Sequence, residues 1–373
     1  MTNAALARRP AAQVEAHCSS GTSPGFSSAK STVLARGTSS DLARNTSPYL
    51  SSATPPGFSG RSRQRIELDH HGPHVIEVSY EVHGPANAPA FVVLGGISAG
   101  RHLAPTAEDT SPGWWPGVVE PGGALDTTCQ RLIGVDFLAG PNSTFRPTAP
   151  VTTHDQARAV AAVLDKLGAH SVTLVGASYG GMVALAFAEL FADRVSGLVL
   201  VCAAHRTHPM ATAWRSIQRS VVQLGEQSGA PEEGLALARQ LAMTTYRSAD
   251  EFEQRFDHGP SSEGAVRFPV QDYLEARGSA FTGVFDAASF LSLSTSIDLH
   301  RVDPRLVGCR TTLVSFDTDA LVPPWLVEEL AQGVPGVCEH VRVSSSFGHD
   351  AFLKEPERVS SALRTATEIQ EVI

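Results

Sequence analysis

Gly176-Ala177-Ser178-Tyr179-Gly180 stands between a short apolar run, 172–175, and a longer one, 182–191. The first has the length of a strand and the second that of a helix. A serine with glycine two residues before and two after, at such a junction, marks a sharp strand-to-helix turn. A Cβ at either glycine would collide with the neighbouring strand or helix, and the serine backbone is strained. The turn holds the Ser178 hydroxyl clear of the sheet, at the start of a helix whose dipole favours negative charge. The alternative is a Gly/Ser-rich connector with no chemistry, and the strand–turn–helix context favours a nucleophile.

The rest of the chain repeats this alternation. Runs 91–94, 132–137, 171–176, 197–202, 311–316 and 340–344 predict strands, and 153–167, 182–191, 326–332 and 358–373 predict helices. Thr152 and Thr153 precede the first helix as an N-cap region. Short apolar strands alternating with helices predict a mostly parallel sheet with helices on both faces. Ahead of it, 66–68 and 75–82 alternate as an antiparallel hairpin would. Strand signals vanish over 205–300, where helical stretches 209–224 and 232–244 take their place. So long an insertion is more than a loop, and a helical lid over the carboxyl ends of the strands is the economical reading. The expected division is a core of 63–204 and 301–373, with the lid at 205–300. Residues 1–62 hold thirteen serines, six basic residues and only Glu15 and Asp41 as acids. They have no apolar periodicity and read as a disordered extension, superficially like a transit peptide but with no amphipathic helix.

A serine nucleophile needs a base, and the base an orienting acid. Ser315-Phe316-Asp317-Thr318-Asp319 follows one late strand and Phe347-Gly348-His349-Asp350 the last. Both segments fall on loops at strand ends, in the chain order serine, acid, histidine. Position alone leaves Asp317 and Asp319 in competition. An oxyanion hole needs the backbone N–H of Tyr179 and one from Gly95-Gly96-Ile97-Ser98-Ala99-Gly100, here assigned to Ile97. That loop lacks the Lys-Ser/Thr of a phosphate-binding loop, and no metal-ligand spacing occurs. Arg239 and Tyr246, seven residues apart on a lid helix, can face one way into a cleft. Arg239 suits a carboxylate, or else pairs with an acid on the surface.

Composition narrows the partners. With 18% charged residues and a net charge of −9, the chain offers no basic face for nucleic acid or an anionic membrane. No apolar run reaches transmembrane length. Five scattered cysteines form no C-x-x-C pair, which argues for a reducing cytoplasm, and Cys202 reads as buried packing.

Several segments in order are similar to one family. Gly113-Trp114-Trp115 and Gly122-Gly123-Ala124-Leu125-Asp126-Thr127 precede the elbow, and Gly176 to Met182 resembles that family's G-x-S-M-G-G-M. Arg239 to Ser248, then Glu251 to Phe256, resembles its lid helix. Asp319-Ala320-Leu321-Val322-Pro323 and Gly348-His349-Asp350-Ala351-Phe352-Leu353 resemble its acid and histidine loops. The family is the homoserine O-acyltransferases of the α/β-hydrolase fold, which open methionine biosynthesis, and the resemblance covers most of 75–365. It implies Ser178, Asp319 and His349 as catalytic residues, with Asp319 the orienting acid. It also implies that Arg239 grips the substrate carboxylate, Tyr246 contacts the substrate and Asp350 meets its ammonium. L-homoserine and acyl-CoA would be the small-molecule partners, with no resident cofactor, and the protein a homodimer built on lid helices. Tyr179, Val183 and Ala139-Gly140-Pro141-Asn142-Ser143-Thr144 depart from the family pattern. The segment 203–209 resembles the succinyl-using branch more than the acetyl-using one. Succinyl carries a second carboxylate that needs a cation, for which Arg206 and Arg101 are candidates. The expected activity is ping-pong acyl transfer from CoA, succinyl before acetyl, to homoserine. A serine acceptor, an esterase and a non-catalytic ligand sensor are the alternatives.

Overall fold

The computed structural model describes residues 57–260 and 266–368. Eight strands form one sheet in the order β1-β2-β4-β3-β5-β6-β7-β8. They are β1 (Phe58–Leu68), β2 (Gly72–His83), β3 (Ala90–Leu94), β4 (Arg131–Val135), β5 (Val172–Ala177), β6 (Val195–Val201), β7 (Thr311–Phe316) and β8 (Cys338–Val343). β1 pairs with β2 and β2 with β4 antiparallel, and the pairings from β4 to β8 are parallel. Every strand that the sequence predicts is present.

The central strands are apolar on both faces because both faces are covered. In β6, Leu198 and Leu200 pack on one side with Val160 and Leu164 of α1 (Thr153–Leu167) and Phe187 of α2 (Tyr179–Leu190). Val199 and Val201 point the other way, into a layer with Trp115, Phe352 and Leu363. Helix α8 (Pro324–Gly333), which joins β7 to β8, packs on the Leu198 side through Leu326, Val327 and Leu330, whereas α9 (Ala351–Lys354) and α10 (Pro356–Glu368) follow the last strand on the Val199 side. The expected helix 358–373 runs partly outside the described residues. Thr152 caps α1 through a capping box with Asp155, and Gly168 closes it at φ 63°.

The expected boundary at residue 62 is corrected. Phe58 to Ser62 belong to β1, paired with β2 from Phe58 opposite Val82 onward. The inward positions of this strand are Gly60, Ser62, Gln64, Ile66 and Leu68, so only its end shows an apolar alternation. Gly60 is required there, since a Cβ would lie 2.5 Å from the Tyr80 ring. The remainder of the expected extension, 1–56, lies outside the described residues.

Among the described residues between β6 and β7 the insertion holds five α-helices: α3 (Pro209–Gln227), α4 (Pro231–Tyr246), α5 (Ala249–Phe256), α6 (Pro269–Thr282) and α7 (Ala287–Leu299). His300 ties its end to the core, contacting Thr153 Oγ1 at 2.8 Å and the Ala204 carbonyl at 3.1 Å. Among the described residues no single helix is long and apolar enough to cross a membrane.

Candidate active site

Ser178 follows β5 directly, with φ 54° and ψ −119°, a conformation L-residues rarely adopt. The surrounding glycines show why it holds. A Cβ on Gly176 would lie 2.5 Å from the Gly180 carbonyl, one on Gly180 2.3 Å from the Leu94 carbonyl, and one on Gly181 2.4 Å from Ala203. Strand β3, the elbow and the end of β6 therefore close on one another only without side chains at these points.

The loops after β7 and β8 bring the acid and the base to this serine. Ser178 Oγ lies 2.8 Å from His349 Nε2, and His349 Nδ1 lies 2.7 Å from Asp319 Oδ2. The other Asp319 oxygen accepts from the Leu321 and Val322 amides, each at 2.9 Å. Asp317 turns away and accepts from the Ser345 amide instead. Burial opposes charge on His349, but the charge and hydrogen bond of Asp319, with the charge of Asp350, carry its pKa above the ordinary value.

This chain of three opens on a cleft between the sheet and the helical insertion, walled by Ile97, Tyr179, Tyr246, Arg206 and Arg215 among others. Neither the Tyr179 nor the Ile97 amide donates a hydrogen bond to the described residues. Tyr246 stacks against His349 with ring centroids 5.8 Å apart. The Arg239 guanidinium lies 5.3 Å from the Tyr246 ring centre and 4.8 Å from that of Phe281, and makes no ion pair with any described residue. Asp350 stands beside His349, 3.0 Å from Arg247 Nε. Burial raises its pKa, against the lowering charges of Arg247, His349 and Arg239.

The two expected acyl-carboxylate cations fare differently. Arg206 lines the cleft, with its fork engaged by the exposed Glu329. Arg101 is corrected: it lies outside the cleft and pairs with the buried Asp136, which also accepts its backbone N–H.

Sequence reasoning missed Arg215. It lies on α3, where it reads as one polar residue of an amphipathic helix, and only the fold shows that it faces the cleft. Asp298 on α7 accepts from Arg215 Nε at 2.8 Å and from Arg219 Nη1 at 2.7 Å, so two guanidiniums share one carboxylate. Arg215 Nη2 is buried 2.6 Å from Asp298 Oδ1 without a directed hydrogen bond, and the Arg215 charge is felt at His349. Also missed was a group of metal-ligating type. Buried Cys202 brings its sulfur within 4.8 Å of ligand atoms of Asp319 and His349, two residues already engaged with each other. Burial first, then the Asp319 charge, pushes the Cys202 thiol well above its ordinary pKa, so it stays protonated.

The model of the alpha/beta hydrolase fold matches residues 89–356. A homoserine O-succinyltransferase of Xanthomonas campestris pv. campestris is 44% identical over 314 residues, 83% of this chain and 84% of the relative. A homoserine O-acetyltransferase of Symbiobacterium thermophilum is 32% identical, over 78% of this chain and 88% of its own. The crystal structure of homoserine O-acetyltransferase from Bacillus anthracis superposes with a TM-score of 0.75 at 18% identity, over 83% of this chain and 97% of that one. Elbow, ordered loops, inserted helices and this level of identity agree: the chain belongs to the homoserine O-acyltransferases of the α/β-hydrolase fold.

Proposed function

We propose that the protein transfers a succinyl group from succinyl-CoA to the hydroxyl of L-homoserine by a ping-pong route, in the methionine biosynthesis of a reducing cytoplasm. Ser178 Oγ attacks the thioester carbonyl as its proton passes to His349 Nε2. The carbonyl oxygen becomes an oxyanion against the N–H groups of Tyr179 and Ile97. Collapse breaks the C–S bond, and the CoA sulfur leaves with the proton from His349. The homoserine hydroxyl then gives its proton to the freed His349 and attacks the succinyl-enzyme. A second collapse releases the O-acyl product and returns the proton to Ser178. Asp319 stabilises the imidazolium in both halves and fixes its tautomer.

The observation that carries this reading is the Ser178–His349–Asp319 chain opening on a cleft with two arginines in its wall. Arg239, free of an ion pair, is suited to the α-carboxylate of the acceptor, with Tyr246 beside it and Asp350 toward the ammonium. Arg215, sharing Asp298 with Arg219, has charge to spare for the succinyl carboxylate, with Arg206 at the same cleft. The unbridged thiols of Cys202, Cys309 and Cys338 suit a reducing compartment. A homodimer built on the inserted helices is supported by exposed Met210, Ile217 and Leu224, seven residues apart along α3.

A thiol-release assay crossing L-homoserine and L-serine with succinyl-CoA and acetyl-CoA tests the reading. Succinyl-CoA with L-homoserine should turn over fastest. Faster turnover with acetyl-CoA would overturn the donor, and faster turnover with L-serine the acceptor. Thiol release independent of either amino acid would make the protein a hydrolase.

A further inference from the structure

Where the family pattern has methionine after the nucleophile, this chain has Tyr179, and the substitution changes what the residue is tied to. The residue lines the cleft and its backbone N–H donates to none of the described residues, yet its side chain is buried to 1% exposure and ends 2.7 Å from Ser296 Oγ. Ser296 is completely buried on α7. The ring is gripped at its edge by Phe137, with centroids 4.9 Å apart at 71°. Burial raises the phenol pKa, so the group stays neutral and the contact is an O–H···O hydrogen bond between uncharged partners. A methionine could not make that bond.

Helix α7 is also a wall of the cleft, through Phe290, Ser294 and Ile297. It carries Asp298, which holds Arg215 and Arg219. One helix therefore holds Arg215 of the cleft wall through Asp298 and, two residues away, the side chain of Tyr179, the residue that follows Ser178. The start of α2 has no side-chain cap, and its first peptide is held on the carbonyl side, where Ser178 accepts from the Gly181 and Met182 amides at 3.0 and 3.2 Å. Oxyanion donors act only when they sit about 2.7–3.1 Å from the developing charge, so a small displacement of this peptide matters.

We propose that Tyr179 is a positioning residue: its hydrogen bond to Ser296 sets the oxyanion N–H and couples that N–H to the lid helix α7. The inference rests on the acyl-enzyme reading above and goes beyond it. Tyr179→Phe removes one oxygen and leaves the ring in place. Ser296→Ala removes the other partner and serves should Tyr179→Phe fold poorly.

Rapid-quench measurement of the thiol burst with succinyl-CoA alone, per mole of folded enzyme, should show acylation about tenfold slower in each variant. The apparent Kd for succinyl-CoA should change less than twofold. The double variant should be no slower than the slower single one, and Ser296→Thr, which keeps a hydroxyl, should restore most of the rate. Variants that melt earlier but acylate at the wild-type rate would overturn the proposal, as would additive losses or a loss confined to Kd. Wild-type enzyme with turnover but no burst would instead overturn the acyl-enzyme reading, and this proposal with it.

Discussion

Replacing Arg215 with methionine keeps most of the side-chain volume and removes the charge from the cleft wall. The structure says what the change leaves behind. Asp298 retains Arg219 at 2.7 Å on one oxygen and Thr212 Oγ1 at 2.9 Å on the other, so no carboxylate is orphaned. The pair is largely buried, so the stability cost should be that of one charged hydrogen bond, roughly 1.5–3 kcal/mol, and not that of an orphaned charge. Binding is another matter. A hydrogen bond from a charged donor to a carboxylate in a closed site contributes roughly 1.5–3 kcal/mol, or roughly 10- to 150-fold in kcat/KM. Loss on that scale is expected with succinyl-CoA, whose distal carboxylate would meet Arg215. With acetyl-CoA, which has only a methyl group there, kcat/KM should stay within about threefold. Stopped-flow thiol release with both donors reads the ratio directly, and a thermal melt excludes misfolding. Arg206→Gln is the control, since Glu329 already occupies that fork in an exposed pair, and its effect should be smaller. If Arg215→Met slows both donors equally, Arg215 does not read the distal carboxylate and the donor argument fails.

Arg239→Ala should lose roughly 2–4 kcal/mol of transition-state binding with L-homoserine while sparing acylation by succinyl-CoA, and equal damage to both halves would make Arg239 structural. The base must be neutral to accept a proton, so the raised pKa of His349 places the acidic limb of the rate profile above the ordinary histidine value of about 6.5. Asp319→Asn removes the largest raising influence, so that limb should move to lower pH as kcat falls by roughly four orders of magnitude; a limb that stays in place would assign it to another group. Ile217→Asp, in the exposed stripe of α3, should yield monomers by light scattering, and an unchanged mass would place any interface elsewhere.

What the sequence reveals follows how local each determinant is. The elbow could be read because Ser178 and the glycines Gly176, Gly180 and Gly181 lie within six residues, even though Gly180 and Gly181 make room for Leu94 and Ala203 far off in the chain. The acid and base could be placed because they follow strands of recognisable apolar composition. Asp317 and Asp319 could not be separated by position: both sit in the turn after β7, and only its backbone decides which one reaches His349. Arg215 was invisible because its role depends on α7, some eighty residues later, supplying Asp298. Arg101 misled for the converse reason. It stands next to the 95–100 loop in sequence, but it pairs with buried Asp136 and does not line the cleft. The first turns of β1 were hidden because Gly60, Ser62 and Gln64 occupy its inward positions.

The charges around Asp350 lead to a last prediction. Arg239 has no ion-pair partner among the described residues, so a carboxylate arriving there need not compete with a described acid. Asp350, by contrast, already lies 3.0 Å from Arg247 Nε, and that nitrogen is buried without a directed hydrogen bond. Arg247 also donates to Glu251 at 2.7 Å, and Glu251 is further served by Arg255 and Lys354. An arriving ammonium must therefore share Asp350 with a guanidinium that is held in place, and the repulsion between the two cations offsets part of its attraction. Recognition of the acceptor should be unequal at its two ends. 4-Hydroxybutyrate, which lacks the amine, should retain measurable acceptor activity with succinyl-enzyme. 3-Aminopropanol, which lacks the carboxylate, should fall below it by at least tenfold in kcat/KM. Arg247→Met should raise affinity for L-homoserine if Arg247 competes for Asp350, and lower it if Arg247 instead holds Asp350 in place for the ammonium. A greater loss with 4-hydroxybutyrate than with 3-aminopropanol would mean that the ammonium site is the stronger one and that Arg239 is not the main anchor.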